Sequence, residues 1–134
     1  MAKKKWDVKS HDEWEFGNQT HHISHVVRSD GPVLDLRKVY FASNMWRGTR
    51  NGVCIEPQYV EELVAALKTL EQEDTEAVSL SSGQFAMRDF YHTKRYLFIG
   101  QIMPNGYKKG YTIPFQLLGL LIDAIPLFWE ARNE

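Results

Sequence analysis

The chain has 134 residues, 43% hydrophobic and 25% charged, with a net charge of −1. This composition is ordinary for a soluble globular protein, and the length leaves one domain or two small interdependent halves. Cys54 is the lone cysteine, which excludes an internal disulfide framework and suits a reducing compartment. "MAKKKW" is basic but leads into polar residues rather than an apolar core, so the expected location is cytoplasmic or nucleoid-associated (nuclear in a eukaryote) and not secreted.

In chain order, residues 1–18 read as an irregular leader. "THHISHVVR" is rich in β-branched residues and predicts a strand, and "SDGP" is turn chemistry. "VLDLRKVYFA" predicts a second strand, with Leu34 and Leu36 alternating against Asp35 and Arg37, so that Asp35 is placed to brace Arg37. "SNMWRGTRNG" reads as a turn-rich link and "VCIE" as a short third strand. Pro57 suits a first helical turn, and Tyr59, Leu63, Leu67 and Leu70 recur at helical spacing, with acids on the other face. "EQEDTEAVSLSSGQ" reads as an acidic linker. "FAMRDFY" is strand-like, "HTKR" a turn, "YLFIGQIM" a strand, "PNG" a tight turn and "YKKGYTI" a strand. Pro114 opens a last helix that Pro126 should end or kink near Ile125. That helix belongs to the most apolar run, "IPFQLLGLLIDAIPLFW", which holds Asp123 and two prolines and reads as buried rather than membrane-spanning.

One phrase occurs twice. "GTRNGVCIEPQYVEELVAAL" and "YKKGYTIPFQLLGLLIDAI" each pass from basic residues through Gly to a short strand, Pro and an apolar helix. Aligning Gly52 with Gly110 sets "VLDLRKVY" on "YLFIGQIM"; a rival alignment sets "LRKVY" on "MRDFY". The expected fold is therefore α+β: two β-β-β(-β)-α units with antiparallel curved sheets and packed helices, an intramolecular pseudo-dimer. The divisions are a leader at 1–18, a first unit at 19–70, an acidic linker at 71–84 and a second unit at 85–134. Charge is segregated too. Arg28, Arg37, Lys38, Arg47 and Arg50 face only Asp30 and Asp35 in the first β-like region, and Arg88, Lys94, Arg95, Lys108 and Lys109 face Asp89 alone in the second. The first helix and linker carry Glu56, Glu61, Glu62, Glu71, Glu73, Asp74 and Glu76 against Lys68 alone, a distribution that points to a polyanion partner despite the near-neutral total.

"VVR" at Val26–Arg28, "LDLRKVY" at Leu34–Tyr40, "RGTRNGVCI" at Arg47–Ile55 and "EPQYVEEL" at Glu56–Leu63 together resemble the positive cofactor four family of transcriptional coactivators and single-stranded-DNA-binding proteins. The second half resembles it more weakly, through "MRDFY" and "KKGYTI", and has "FIGQIM" where the aspartate–arginine pair would stand. The resemblance implies sheets that hold antiparallel runs of single-stranded DNA. It implies contacts from Arg28, Arg37, Tyr40, Arg47 and Arg50 in one half, and from Arg88, Phe90, Lys108 and Lys109 in the other, with Lys94 and Arg95 in a basic turn. Physical chemistry points the same way. Cations bind phosphate with counterion release, at a salt slope of about −0.7 per contact on single strands, and each base stacked on a ring contributes roughly 1–3 kcal/mol. Tyr40, Trp46, Phe90 and Tyr107 are the rings expected to touch bases, while Phe41, Tyr96 and Phe98 are expected in the core.

The function expected is low-specificity binding of single-stranded DNA, with RNA as second candidate, in transcription, replication or recombination. Proteins of those processes are candidate partners, no cofactor is implied, and the chain acts as a pseudo-dimeric monomer or a homodimer. Two alternatives belong to other classes. The apolar last helix suggests a protein-interaction or oligomerisation module with Trp129 as anchor. His21, His22 and His25 suggest a metal enzyme, but on a strand His22 and His25 point to opposite faces and Cys54 is the only thiol. Cys54 itself reads as a small buried hydrophobe, and no nucleophile elbow, phosphate-binding glycine loop or acid/base pair is present in the sequence.

Overall fold

A computed structural model describes residues 7–16, 19–28 and 31–133, with side chains placed for 21–24, 26–27, 31–40, 42–44, 47–127 and 129. Strands β1 (Asp7–Phe16), β2 (Gln19–Arg28), β3 (Gly31–Ala42) and β4 (Met45–Ile55) lead through a 3₁₀ turn at Pro57–Tyr59 into helix α1 (Val60–Gln72). Strands β5 (Ala77–Ser79), β6 (Phe85–Tyr91), β7 (Lys94–Ile102) and β8 (Lys108–Pro114) lead through a turn at Phe115–Leu117 into helix α2 (Leu118–Asn133). Among the described residues the fold is α+β, with two antiparallel four-stranded sheets in the orders β1-β2-β3-β4 and β5-β6-β7-β8.

Local sequence explains most of these elements. Leu34 and Leu36 alternate along β3 and are fully buried, as are Leu97 and Ile99 on β7. Ser43 and Asn44 both take positive φ, 54° and 61°, which gives the two-residue β3–β4 hairpin the twist its strands require. On α1, Val60, Leu63, Ala66, Leu67 and Leu70 form the buried stripe. Leu118, Leu121, Ile122, Ile125 and Trp129 of α2 join them in one core cluster with Ile23, Val53, Ile55, Ala86, Tyr111 and Ile113 from both sheets. Fully burying each Leu or Ile stabilises the fold by about 1.5–3 kcal/mol, and this shared interior is what the small halves lack separately.

The helices are exchanged. Besides meeting each other, α1 lies mainly against β5 and β6 among the strands, whereas α2 lies mainly against β2. The Glu62 carboxylate of α1 accepts hydrogen bonds from the Ser81 hydroxyl and, at 2.7 Å, the Ser81 amide, and these hold its pKa below the ordinary value. Sheet two is thus fastened to the helix that follows sheet one.

Several expectations from the sequence are corrected. Residues 7–16 of the expected irregular leader form β1, paired with β2 from Asp7↔Val27 to Phe16↔Gln19. The acidic linker is interrupted by β5, which pairs with β6. The link "SNMWRGTRNG" is mostly strand, with only Ser43 and Asn44 outside β3 and β4. Lys94 and Arg95 begin β7 rather than sitting in a turn. Helix α2 runs through Pro126 to Asn133 instead of ending near Ile125, with buried Trp129 holding the far side of the proline in the core. Trp129 is therefore not an outward anchor. Residues 29 and 30, half of the expected "SDGP" turn, lie outside the described residues.

Candidate nucleic-acid interface

The two sheets share a register around one pair of positions. In sheet one Arg37 pairs with Gly52, and in sheet two Gly100 pairs with Gly110. Strands β3 and β7 hold the same place in their sheets, which favours the alignment of "VLDLRKVY" on "YLFIGQIM" over its rival. The second sheet thus carries Phe98 and Gly100 where the first carries Asp35 and Arg37.

Arg37 is fixed by geometry. Its Nε and Nη2 donate to the two Asp35 carboxylate oxygens at 3.2 and 3.0 Å, and its Nη1 donates to the Thr49 carbonyl at 2.6 Å. Burial pulls the guanidinium pKa down, but the hydrogen bonds and charge of Asp35 outweigh it and raise the pKa overall. A Cβ at Gly52 would strike this guanidinium, and one at Gly48 would lie 3.0 Å from Arg37 Cδ. The two glycines of "RGTRNG" therefore clear a bed for the arginine within a continuous strand. On the second sheet the equivalent bed is closed, because Gly100 and Gly110 approach so closely that a Cβ on either would strike the facing backbone.

The sheets meet along β4 and β8. Three residues of β4, Thr49, Arg50 and Asn51, bulge opposite Lys38. This pushes Asn51 toward β8, where its side-chain amide donates to the Thr112 carbonyl at 3.0 Å and accepts from the Thr112 amide at 2.7 Å. One carboxamide thus pairs with β8 as another strand would. Above this seam lies an open groove of about 780 Å³, lined by Arg37, Thr49, Arg50, Asn51 and Gly52 from sheet one and by Asp89, Phe98, Tyr107, Lys108, Lys109, Gly110 and Thr112 from sheet two. Tyr107 is 65% exposed, whereas Phe98 is buried at 3%, with the Lys108 ammonium 5.7 Å from its ring centroid.

Five residues expected in the interface come together here: Arg37, Arg50, Tyr107, Lys108 and Lys109. Others stand elsewhere. Arg88 projects toward the end of α1, where it donates to the Leu70 carbonyl and, at 2.8 Å, to the Glu73 carbonyl, stacks 5.2 Å over Phe115, and lies 3.8 Å from Asp74. It caps the helix whose last carbonyls lack partners. Phe90 and Arg95 line a smaller hollow of about 310 Å³ beside it. Tyr40 and Arg47 pair across the outer end of β3 and β4, and Lys94 pairs with Tyr91 beside the β6–β7 turn. Lys38 pairs with His21. The side chains of Arg28 and Trp46 lie outside the described residues, as do those of Phe41 and His25.

Sequence reading missed Asn51, Thr49 and the groove role of Asp89. Asn51 beside the repeated glycine was the available signal, and Asp89 was visible as the single acid in a basic stretch. Of the histidines, His21 Nδ1 shares a hydrogen bond with the Tyr111 hydroxyl, 2.6 Å away, and His22 pairs with Arg37 in the adjoining strand. Among the described residues no three His, Cys, Asp or Glu side chains are grouped to hold a metal, and no helix is long and apolar enough to cross a membrane. Cys54 is half-buried, its thiol 3.3 Å from Asp35 Oδ1. Comparison with protein-family models and with curated proteins returned no match.

Proposed function

We propose that the chain is a non-enzymatic binder of single-stranded DNA or RNA with little sequence preference, acting in transcription, replication or recombination. In this reading it is built from two tandem units of the kind found in the positive cofactor four family, joined as a pseudo-dimer. The observation that carries the reading is the convergence of Arg50, Lys108, Lys109 and the exposed Tyr107 on one groove fed by both sheets. Matching element order and the shared Arg37↔Gly52 and Gly100↔Gly110 registers support the tandem origin. Chemically, an open groove with cations along its walls and a ring on its rim suits a flexible polyanion with unpaired bases. Arg37 serves mainly to hold the floor, because Asp35 already neutralises it.

A fluorescence-anisotropy titration with a single-stranded oligomer and its duplex, at low and high salt, tests the reading. Single strands should bind more tightly, and salt should weaken them. Replacing both Arg50 and Lys109 with Ala should reduce the log–log salt slope by about 1.4, two contacts at 0.7 each. An unchanged slope in that variant, or no affinity at low salt, refutes the reading. The second outcome favours a protein-interaction module, which has one observation behind it: Leu120 and Leu127 of α2 are 55% and 72% exposed.

A further inference from the structure

Among the described residues lining the groove there is one carboxylate, Asp89, and it faces a cation that the proposed reading needs. Lys108 Nζ lies 2.7 Å from Asp89 Oδ2. The other oxygen, Oδ1, accepts the Phe90 amide at 2.9 Å and so fixes the carboxylate's orientation. Asp35 beneath Arg37 offers a contrast. Its side chain is 9% exposed and its two oxygens both meet Arg37, so releasing that pair would leave a charge stranded in the interior. The Lys108 and Asp89 side chains are 39% and 31% exposed, an environment in which an ion pair contributes little and water readily replaces either partner. One groove pair is therefore permanent and the other exchangeable.

We propose that Asp89 is an internal competitor for the phosphate backbone: it holds Lys108 until a strand enters and yields it to a phosphate. Asp89 thereby limits both affinity and salt sensitivity at this site. The inference rests on the reading of the groove as a single-strand site. Each neutralised phosphate releases condensed counterions, but a carboxylate bared by the departure of Lys108 takes a cation back. The Lys108 contact then adds almost nothing to the salt slope, and removing the Asp89 charge restores its full contribution of about 0.7.

The test uses the full chain, fluorescein-labelled oligo(dT) and anisotropy across a range of NaCl concentrations. Four proteins are compared: wild type, Asp89→Asn, Lys108→Ala and the double variant. Asparagine keeps the shape and the acceptor for the Phe90 amide. Asp89→Asn should bind about two- to fivefold more tightly at low salt, the range set by the strength of an exposed ion pair. Its slope should steepen by about 0.7, and both effects should vanish in the Lys108→Ala background. An equal gain with and without Lys108 would mean that Asp89 merely repels the strand, and would overturn the proposal. Unchanged or weaker binding by Asp89→Asn would overturn it as well. Wild-type protein that ignores oligo(dT) at every salt concentration sinks the reading of the groove and this proposal together, whereas wild-type binding with an indifferent Asp89→Asn sinks the proposal alone.

Discussion

Individual side chains here are committed by their immediate partners more than by their type. His21 is fully buried and meets Tyr111 edge-on, with ring centroids 5.4 Å apart. Burial first, then the positive charge of Lys38, lowers its pKa from 6.5 to about 4. Burial, reinforced by the charge of Asp35, drives the Tyr111 pKa upward, so its hydroxyl keeps its proton beside His21 Nδ1. The folded His21 refuses a proton that the unfolded chain accepts between those two values. Stability from this group is therefore complete above about pH 6.5 and is lost as pH falls toward 4, at up to about 1.4 kcal/mol per pH unit. Urea unfolding at pH 7, 6 and 5 should show that decline, and His21→Gln should flatten it. Identical pH profiles for the two proteins would remove His21 as the cause.

Among the elements, β6 shows how alternation divides labour within a few residues. Asp89 faces the groove, while Arg88 faces α1 and closes that helix's C-terminal carbonyls. Arg88→Ala should thus lower stability by about 1–3 kcal/mol in urea titrations, through lost hydrogen bonds from a charged donor, yet leave the oligonucleotide salt slope of the folded protein unchanged. A shallower slope without loss of stability would return Arg88 to the interface. The same element explains the limits of the sequence. Charge segregation made a basic surface legible, and Leu34 and Leu36 made β3 legible, because composition and period are local properties. Which face Arg88 takes is decided by its pairing with Leu97, opposite it on β7, and by α1, neither of which is local. β1 was hidden because "DVKSHDEWEF" lacks sustained apolar alternation and forms through its pairing with β2. The opening of β4 was hidden because Gly48 and Gly52 look like breakers, whereas in the fold they make room for Arg37. β5 has three residues, too few to carry a period.

At the scale of the molecule, the exchanged helices bind the two halves into one folding unit. A fragment ending after α1 would lose β5 and β6, the strands that helix mainly lies against, and would expose Leu63, Leu67 and Leu70. Residues 1–72 alone should therefore give a disordered circular dichroism spectrum and bind hydrophobic dye, while the full chain unfolds in a single urea transition. A fragment that melts cooperatively would contradict the shared core. The seam joined by Asn51 and Thr112 has a further consequence, since those residues are 61 positions apart along the backbone. Any molecule lying across both would make separation of the sheets as costly as its own departure. Amide hydrogens in β3 and in β7 should then exchange more slowly together on addition of a single short oligonucleotide, so that one bound guest is felt in parts of the chain it never touches.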